Sequence, residues 1–169
     1  MKRTIILLAA FLVLSNLSFL TVVPPATAQG SAFRFNLITP NTAEAASGPF
    51  AGDTITLTGG GIFDVEAGTI KARGRFTHSN SDGTVLARGI WVATSFDSFA
   101  SFGGPNAGTQ GGELELTVTV FPVGGDPVSG LDMTVTCLIN APSTFTEEEG
   151  TTLGNFTEKT GGNTQFHTN

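Results

Sequence analysis

The chain has 169 residues, with eight basic against fourteen acidic side chains, 22 glycines, 14 phenylalanines, one cysteine and no tyrosine. Its acidic balance argues against a nucleic-acid partner, because such a surface repels phosphate backbones unless a local patch overrides the field. Two distant histidines and a single cysteine do not form a metal-ligand set, and no phosphate loop or dinucleotide fingerprint occurs, so no metal or cofactor is expected.

The first segment reads as an export signal. Lys2 and Arg3 precede an apolar run from Ile5 to Leu14, a weaker stretch continues to Val23, and Pro24-Pro25 breaks any helix before Ala26-Thr27-Ala28. Ser15, Asn16 and Ser18 interrupt the apolar region, which distinguishes it from an uncleaved membrane anchor. Cleavage after Ala28 leaves 141 residues with six basic and fourteen acidic side chains, a formal charge of −8. The expected location is the medium, the periplasm or the cell envelope, with no membrane span after cleavage.

From residue 29 to 142 the pattern alternates with period two, the signature of strands with one buried face. Phe33, Phe35 and Leu37 alternate with Arg34 and Asn36; Ile55 and Leu57 alternate with threonines. Leu114, Leu116, Val118 and Val120 alternate with Glu113, Glu115, Thr117 and Thr119. Breaks are expected at Gly59-Gly60-Gly61, Gly103-Gly104-Pro105 and Gly124-Gly125-Asp126-Pro127. Two hairpins stand out, 69–78 with 84–94 and 112–121 with 131–139. The fold class is all-β, a small antiparallel meander barrel or, alternatively, a β-sandwich, since an open sheet would expose an apolar face and its edges. Gly74 and Gly89, inside strands, mark a sharp bend or a close backbone approach.

Within the first hairpin, Lys71, Arg73 and Arg75 fall two residues apart and share one face, opposite Ile70, Ala72, Gly74 and Phe76. Arg88 lies on the partner strand, but a one-residue slip in register moves it to the other face. These cations are either a solubilising outer face paired with Glu113 and Glu115 or an anion site for a carboxylate, sulfate or acidic glycan. Phe96, Phe99 and Phe102 recur every three residues, a spacing that suits neither a regular strand nor a helix. They either line the mouth of a ligand cavity or pack as a loop on the core. His78, on the face of Phe76, is the one weak catalytic candidate, with Asp64, Glu66 or Asp82 as an orienting partner. Asn80-Ser81-Asp82-Gly83 reads as turn chemistry rather than a calcium loop, for it lacks the downstream bidentate glutamate.

Cys137 sits on the alternating set Leu131, Met133, Val135, Cys137 and Ile139, which favours a small core residue over a disulfide-linked dimer or a reactive thiol. Residues 143–169 are polar and carry Glu147-Glu148-Glu149; they form either a flexible tail or a closing hairpin around Lys159-Thr160-Gly161-Gly162-Asn163.

The runs "GGGIFD", "ARGIWVATSFDSFASFGG" and "GGELELTVTVFP" together resemble a group of small exported bacterial all-β proteins, and "TGGGIF" is locally similar to the closed barrels of the allene oxide cyclase and dirigent type. The resemblance implies a barrel and carries no catalytic residue across. Three functions follow. The first is an exported module binding a small apolar or anionic ligand between the Phe-rich segment and the sheet interior. The second is an envelope interaction protein contacting a partner through the charged hairpin or acidic tail. The third is a cyclase- or isomerase-like enzyme using His78 and an arginine. Oligomeric state is left open.

Overall fold

The computed structural model describes residues 32–106 and 108–168, so the segment expected to act as an export signal lies outside the described residues. The described chain is all-β: β1 (Ala32–Glu44), β2 (Thr54–Asp64), β3 (Thr69–Ser79), β4 (Val85–Asn106), β5 (Thr109–Pro122), β6 (Val128–Cys137), β7 (Gly150–Leu153), β8 (Glu158–Gly161) and β9 (Thr164–Thr168). No helix among them is long and apolar enough to cross a membrane. All pairings are antiparallel, and the order β4-β3-β2-β1-β9-β5 returns to β4, giving a hydrogen-bonded ring of six strands. Closure between β9 and β5 rests on the pair Gln110–Phe166. This arrangement meets the requirement common to a small barrel and a sandwich, that the sheet's apolar face turn inward on itself. β6 and β7 extend the sheet beyond β5, and β8 adds to the far half of β1.

Both anticipated hairpins form: β3 pairs with β4 across residues 80–84, and β5 pairs with β6 across a Gly- and Pro-rich connection. The inner faces follow the period-two reading. Phe33, Phe35, Ile55, Leu57, Phe76, Leu114, Leu116, Val118, Met133 and Val135 are all buried. Cys137 is buried among them, where loss of hydration pushes its thiol pKa up.

Three expectations need correction. The glycine triplet at 59–61 does not end a strand; β2 runs through it to Asp64. A side chain there would strike neighbouring backbone, so these glycines allow close strand packing rather than a turn. The same reason explains Gly74: a Cβ would collide with the Thr58 carbonyl and with the Trp91 indole, which fills the space and donates Nε1–H to Thr58 O at 3.0 Å. The segment holding Phe96 and Phe99 is not a loop either. It lies within β4, and register irregularities between Ala93 and Ser95 and between Phe96 and Ser98 insert extra residues. Each bulge converts a spacing of three into a shared face, so both rings turn inward. Finally, no hairpin forms about Lys159–Asn163. β8 and β9 both pair with β1 and act as one interrupted strand along it. The C-terminal segment is thus part of the sheet, and β9 completes the ring.

Candidate functional site

The two ends of the ring differ in what fills them. At one end Phe33, Phe63, Phe96, Phe99 and Phe166 interlock, with neighbouring ring centroids between 4.9 and 6.1 Å. Phe102 lies outside this cluster, against Phe145 at 4.7 Å. Phe96 and Phe99 therefore serve packing, and none of the three phenylalanines anticipated at a cavity mouth lines the cleft at the opposite end.

That cleft, of about 270 Å³, is walled by Phe50, Ile55, Phe76, Leu131, Leu153 and Phe156. His78 is its ionisable lining group. Its Nε2 lies 2.7 Å from Asp53 Oδ2, and both side chains are largely enclosed, at 14% and 15% exposure. The imidazole is also held edge-on by two aromatic rings, Phe50 at 5.3 Å and Phe156 at 5.1 Å. A carboxylate only accepts, so Nε2 carries a proton toward Asp53. Nδ1 is then an acceptor in the neutral ring and a donor in the charged one.

Local sequence explains this placement. His78 continues the inner-face series of Ala72, Gly74 and Phe76 and stands opposite Ile55 and Ala87. Asp53 is two residues before Ile55 and so continues the inner series of β2. The preceding loop folds back on itself: Gly52 adopts φ +83°, which a side chain would disfavour, and donates to Ala45 O, while Asp53 N–H donates to Phe50 O. This brings Phe50 and Asp53 to the same His78 ring. The partners anticipated for His78 are elsewhere. Asp64 accepts from Ala67 N–H in the β2–β3 turn, with Glu66 exposed beside it at the far end of the hairpin; Asp82 is exposed in the β3–β4 turn. Asp53 was legible as the next inner position of β2, but only once Ile55 is known to face His78. In the β3–β4 turn, Asn80 Oδ1 accepts from Thr84 N–H, as a turn asparagine does.

The basic residues occupy a second region. The pair Thr77–Arg88 resolves the register, placing Arg88 on the outer face with Lys71, Arg73 and Arg75. Arg34 joins them through Ile62, its partner on β2, which faces Lys71. The anticipated pairing with Glu113 and Glu115 does not occur. Those carboxylates lie opposite Ala100 and Ser98, away from the cationic rows, and Ser98 Oγ donates to Glu115 at 2.8 Å.

A third polar group tethers the segment before β7. Lys159 Nζ donates to Glu147 at 2.9 Å and to Thr136 at 2.8 Å, and Glu149 accepts from Thr164 N–H at 3.0 Å. Burial, and then the charge of Glu147, raise the pKa of Glu113, whereas the hydrogen bond from Lys159 lowers that of Glu147. Among the described residues, no three His, Cys, Asp or Glu side chains converge as a metal site. Comparison of the chain with protein-family models, curated proteins and solved structures gives no match.

Proposed function

We propose that the protein is an exported small-ligand-binding module that holds an apolar or amphipathic molecule in the cleft beside His78. One observation carries this reading: an aromatic and aliphatic cleft whose one ionisable lining group, His78, is paired to Asp53. Apolar walls supply affinity through burial, and a few fixed polar groups supply orientation. Phe50 and Val128, 39% and 47% exposed, stand where a ligand would complete their burial.

The His78–Asp53 pair also bears on an acid–base reading of the isomerase type, since the imidazole has an orienting carboxylate. Among the described residues lining the cleft there is no lysine or arginine to stabilise a developing anion. Binding is therefore the primary reading.

Native mass spectrometry of the mature protein from its own host, beside a denatured run, tests it. A retained mass that disappears on denaturation is expected. Val128→Trp, which fills the cleft from an exposed wall position, should abolish that mass without loss of folding. A mass retained equally by this variant would move the ligand elsewhere, and a bare protein in the native run would overturn the reading.

A further inference from the structure

We infer that the outer face of β1–β4 is a binding track for a linear acidic polysaccharide, one bearing carboxylate or sulfate groups at regular intervals. The track is built by register. Lys71, Arg73 and Arg75 occupy three successive outward rows of β3, and Arg88, opposite Thr77, occupies the fourth; Arg34 widens the first. Adjacent rows are roughly 6.8 Å apart, so the cations mark out a line of about 20 Å. All five are exposed.

These five also stand apart from the ion pairs of the fold. Among the described residues, ion pairs join His78 to Asp53 and Lys159 to Glu147, and neither involves these five cations. Asp64 and Glu44 share the face on the rows beyond either end, opposite Thr69 and Thr54, and Asp97, further along β4, is engaged by Thr117 Oγ1 at 2.9 Å. In a chain of net charge −8 after export, confinement of the cations to one face gives the molecule a strong polarity. A polyanion is steered to that face and repelled from the side carrying Glu113, Glu115 and Glu147.

The surface between the cations suits sugar rings. An open groove of about 530 Å³ lies between Arg73 and Arg75 over Gly59, Gly74 and Ile90. A second, about 410 Å³, lies between Lys71 and Arg73 over Gly60 and Val92. Their floors are glycine backbone and aliphatic side chains, flat enough to accept the C–H face of a pyranose while guanidinium groups on either side take its anionic substituents bidentately. Single-stranded nucleic acid would need aromatic platforms for its bases, and the four cationic rows offer only Phe121, paired with Ile90 at their edge. A membrane requires a broad apolar plane rather than a line of charges.

The test uses the mature protein with four immobilised probes: polygalacturonate, dextran sulfate, neutral dextran, and vesicles of mixed phosphatidylglycerol and phosphatidylcholine. Retention by at least one acidic polysaccharide and not by neutral dextran is expected, falling steeply with salt. Arg73→Gln/Arg75→Gln should weaken it at least tenfold at low salt and reduce the slope of log affinity against log salt by roughly two, because two counterion-releasing contacts are gone. Val128→Trp, on the cleft, should leave retention unchanged, which separates this site from the proposed ligand pocket. Thermal melting of the double variant at the wild-type temperature shows that folding is intact. The inference is overturned by no retention on either acidic polysaccharide, by retention unchanged in the double variant, by binding to vesicles alone, or by a salt-sensitive self-association that accounts for the retention.

Discussion

The two ends of the strand ring are lined by the same residue type and do different things. At the closed end, five phenylalanine rings stack and tilt directly against one another. At the open end, Phe50, Phe76 and Phe156 surround a cleft, and the two rings that flank His78 contact the imidazole as well as each other, at 6.2 Å. The difference lies in what meets the rings. The bulges of β4 feed Phe96 and Phe99 into the closed end, whereas Phe50 and Phe156 reach the open end from the turns at 45–53 and 154–156. Abundance of phenylalanine alone therefore does not distinguish the two ends; the enclosed His78–Asp53 pair among the rings does.

The largest effect should come from breaking this contrast at its closed end. Phe63 is buried and contacts Phe33, Phe35, Phe96, Phe99 and Phe166. Phe63→Ala should cost about 3–5 kcal/mol in urea unfolding, the range for deleting a buried aromatic ring. Phe50→Ala, at a residue already 39% exposed, should cost under about 1 kcal/mol while weakening any ligand held by the cleft. Cys137 reports on the same contrast. It is fully buried beside the Gly112 row and its thiol pKa is raised, so a thiol reagent should modify it only as fast as the protein unfolds. That rate should rise in Phe63→Ala and stay unchanged in Phe50→Ala. Equal costs for the two variants would erase the distinction between the ends.

A smaller effect is expected from the open end's polar pair. Asp53→Ala removes the acceptor from His78 Nε2, leaving a largely enclosed donor, and should cost about 1 kcal/mol. Its sharper signature is loss of ring order: the imidazole signals of His78 should broaden or average in NMR spectra once only Phe50 and Phe156 hold it. Unchanged signals would mean that the aromatic walls alone fix the ring, and Asp53 would lose its orienting role.

What was legible in sequence follows the same division. Residues whose neighbours continue a period of two were placed on the correct face: Phe33 and Phe35, the inner row of β5, the outward Lys71, Arg73 and Arg75, and buried Cys137. Regions where the period breaks were misread. Gly59-Gly60-Gly61 carries the composition of a turn, but its missing side chains are required by the close approach of β1 and β3. The three-residue spacing of Phe96 and Phe99 concealed two bulges. The His78–Asp53 pair needed long-range register, Ile55 opposite His78, which no local pattern supplies. Arg88 was undecided for the same reason, since its face depends on how tightly residues 80–84 turn.

The smallest effect concerns a strap found outside the closed end. Residues 138–149 return past it, held by Asn140 Nδ2 to Phe102 O at 2.6 Å, by the Phe145–Phe102 contact, and by Lys159 to Glu147. Because the folded state lowers the pKa of Glu147, its pairing contributes stability above the unfolded pKa and loses it as pH falls through the folded one. Glu113 has the opposite sign. Its raised pKa means that the folded state binds its proton more tightly, so ionisation costs stability as pH rises from the unfolded to the folded pKa. Glu147 is 56% exposed, so screening keeps the contribution of its pair below about 1 kcal/mol. Glu147→Gln should therefore lower the melting temperature by a few degrees at neutral pH and by nothing once acid has protonated the native carboxyl. Glu113→Gln should do the reverse at neutral pH, leaving stability equal or slightly higher, because it removes a half-buried charge beside Glu147. A loss of stability in Glu113→Gln equal to that in Glu147→Gln would show that both carboxylates serve Lys159, and would make the strap a charge-paired clamp rather than a single tether.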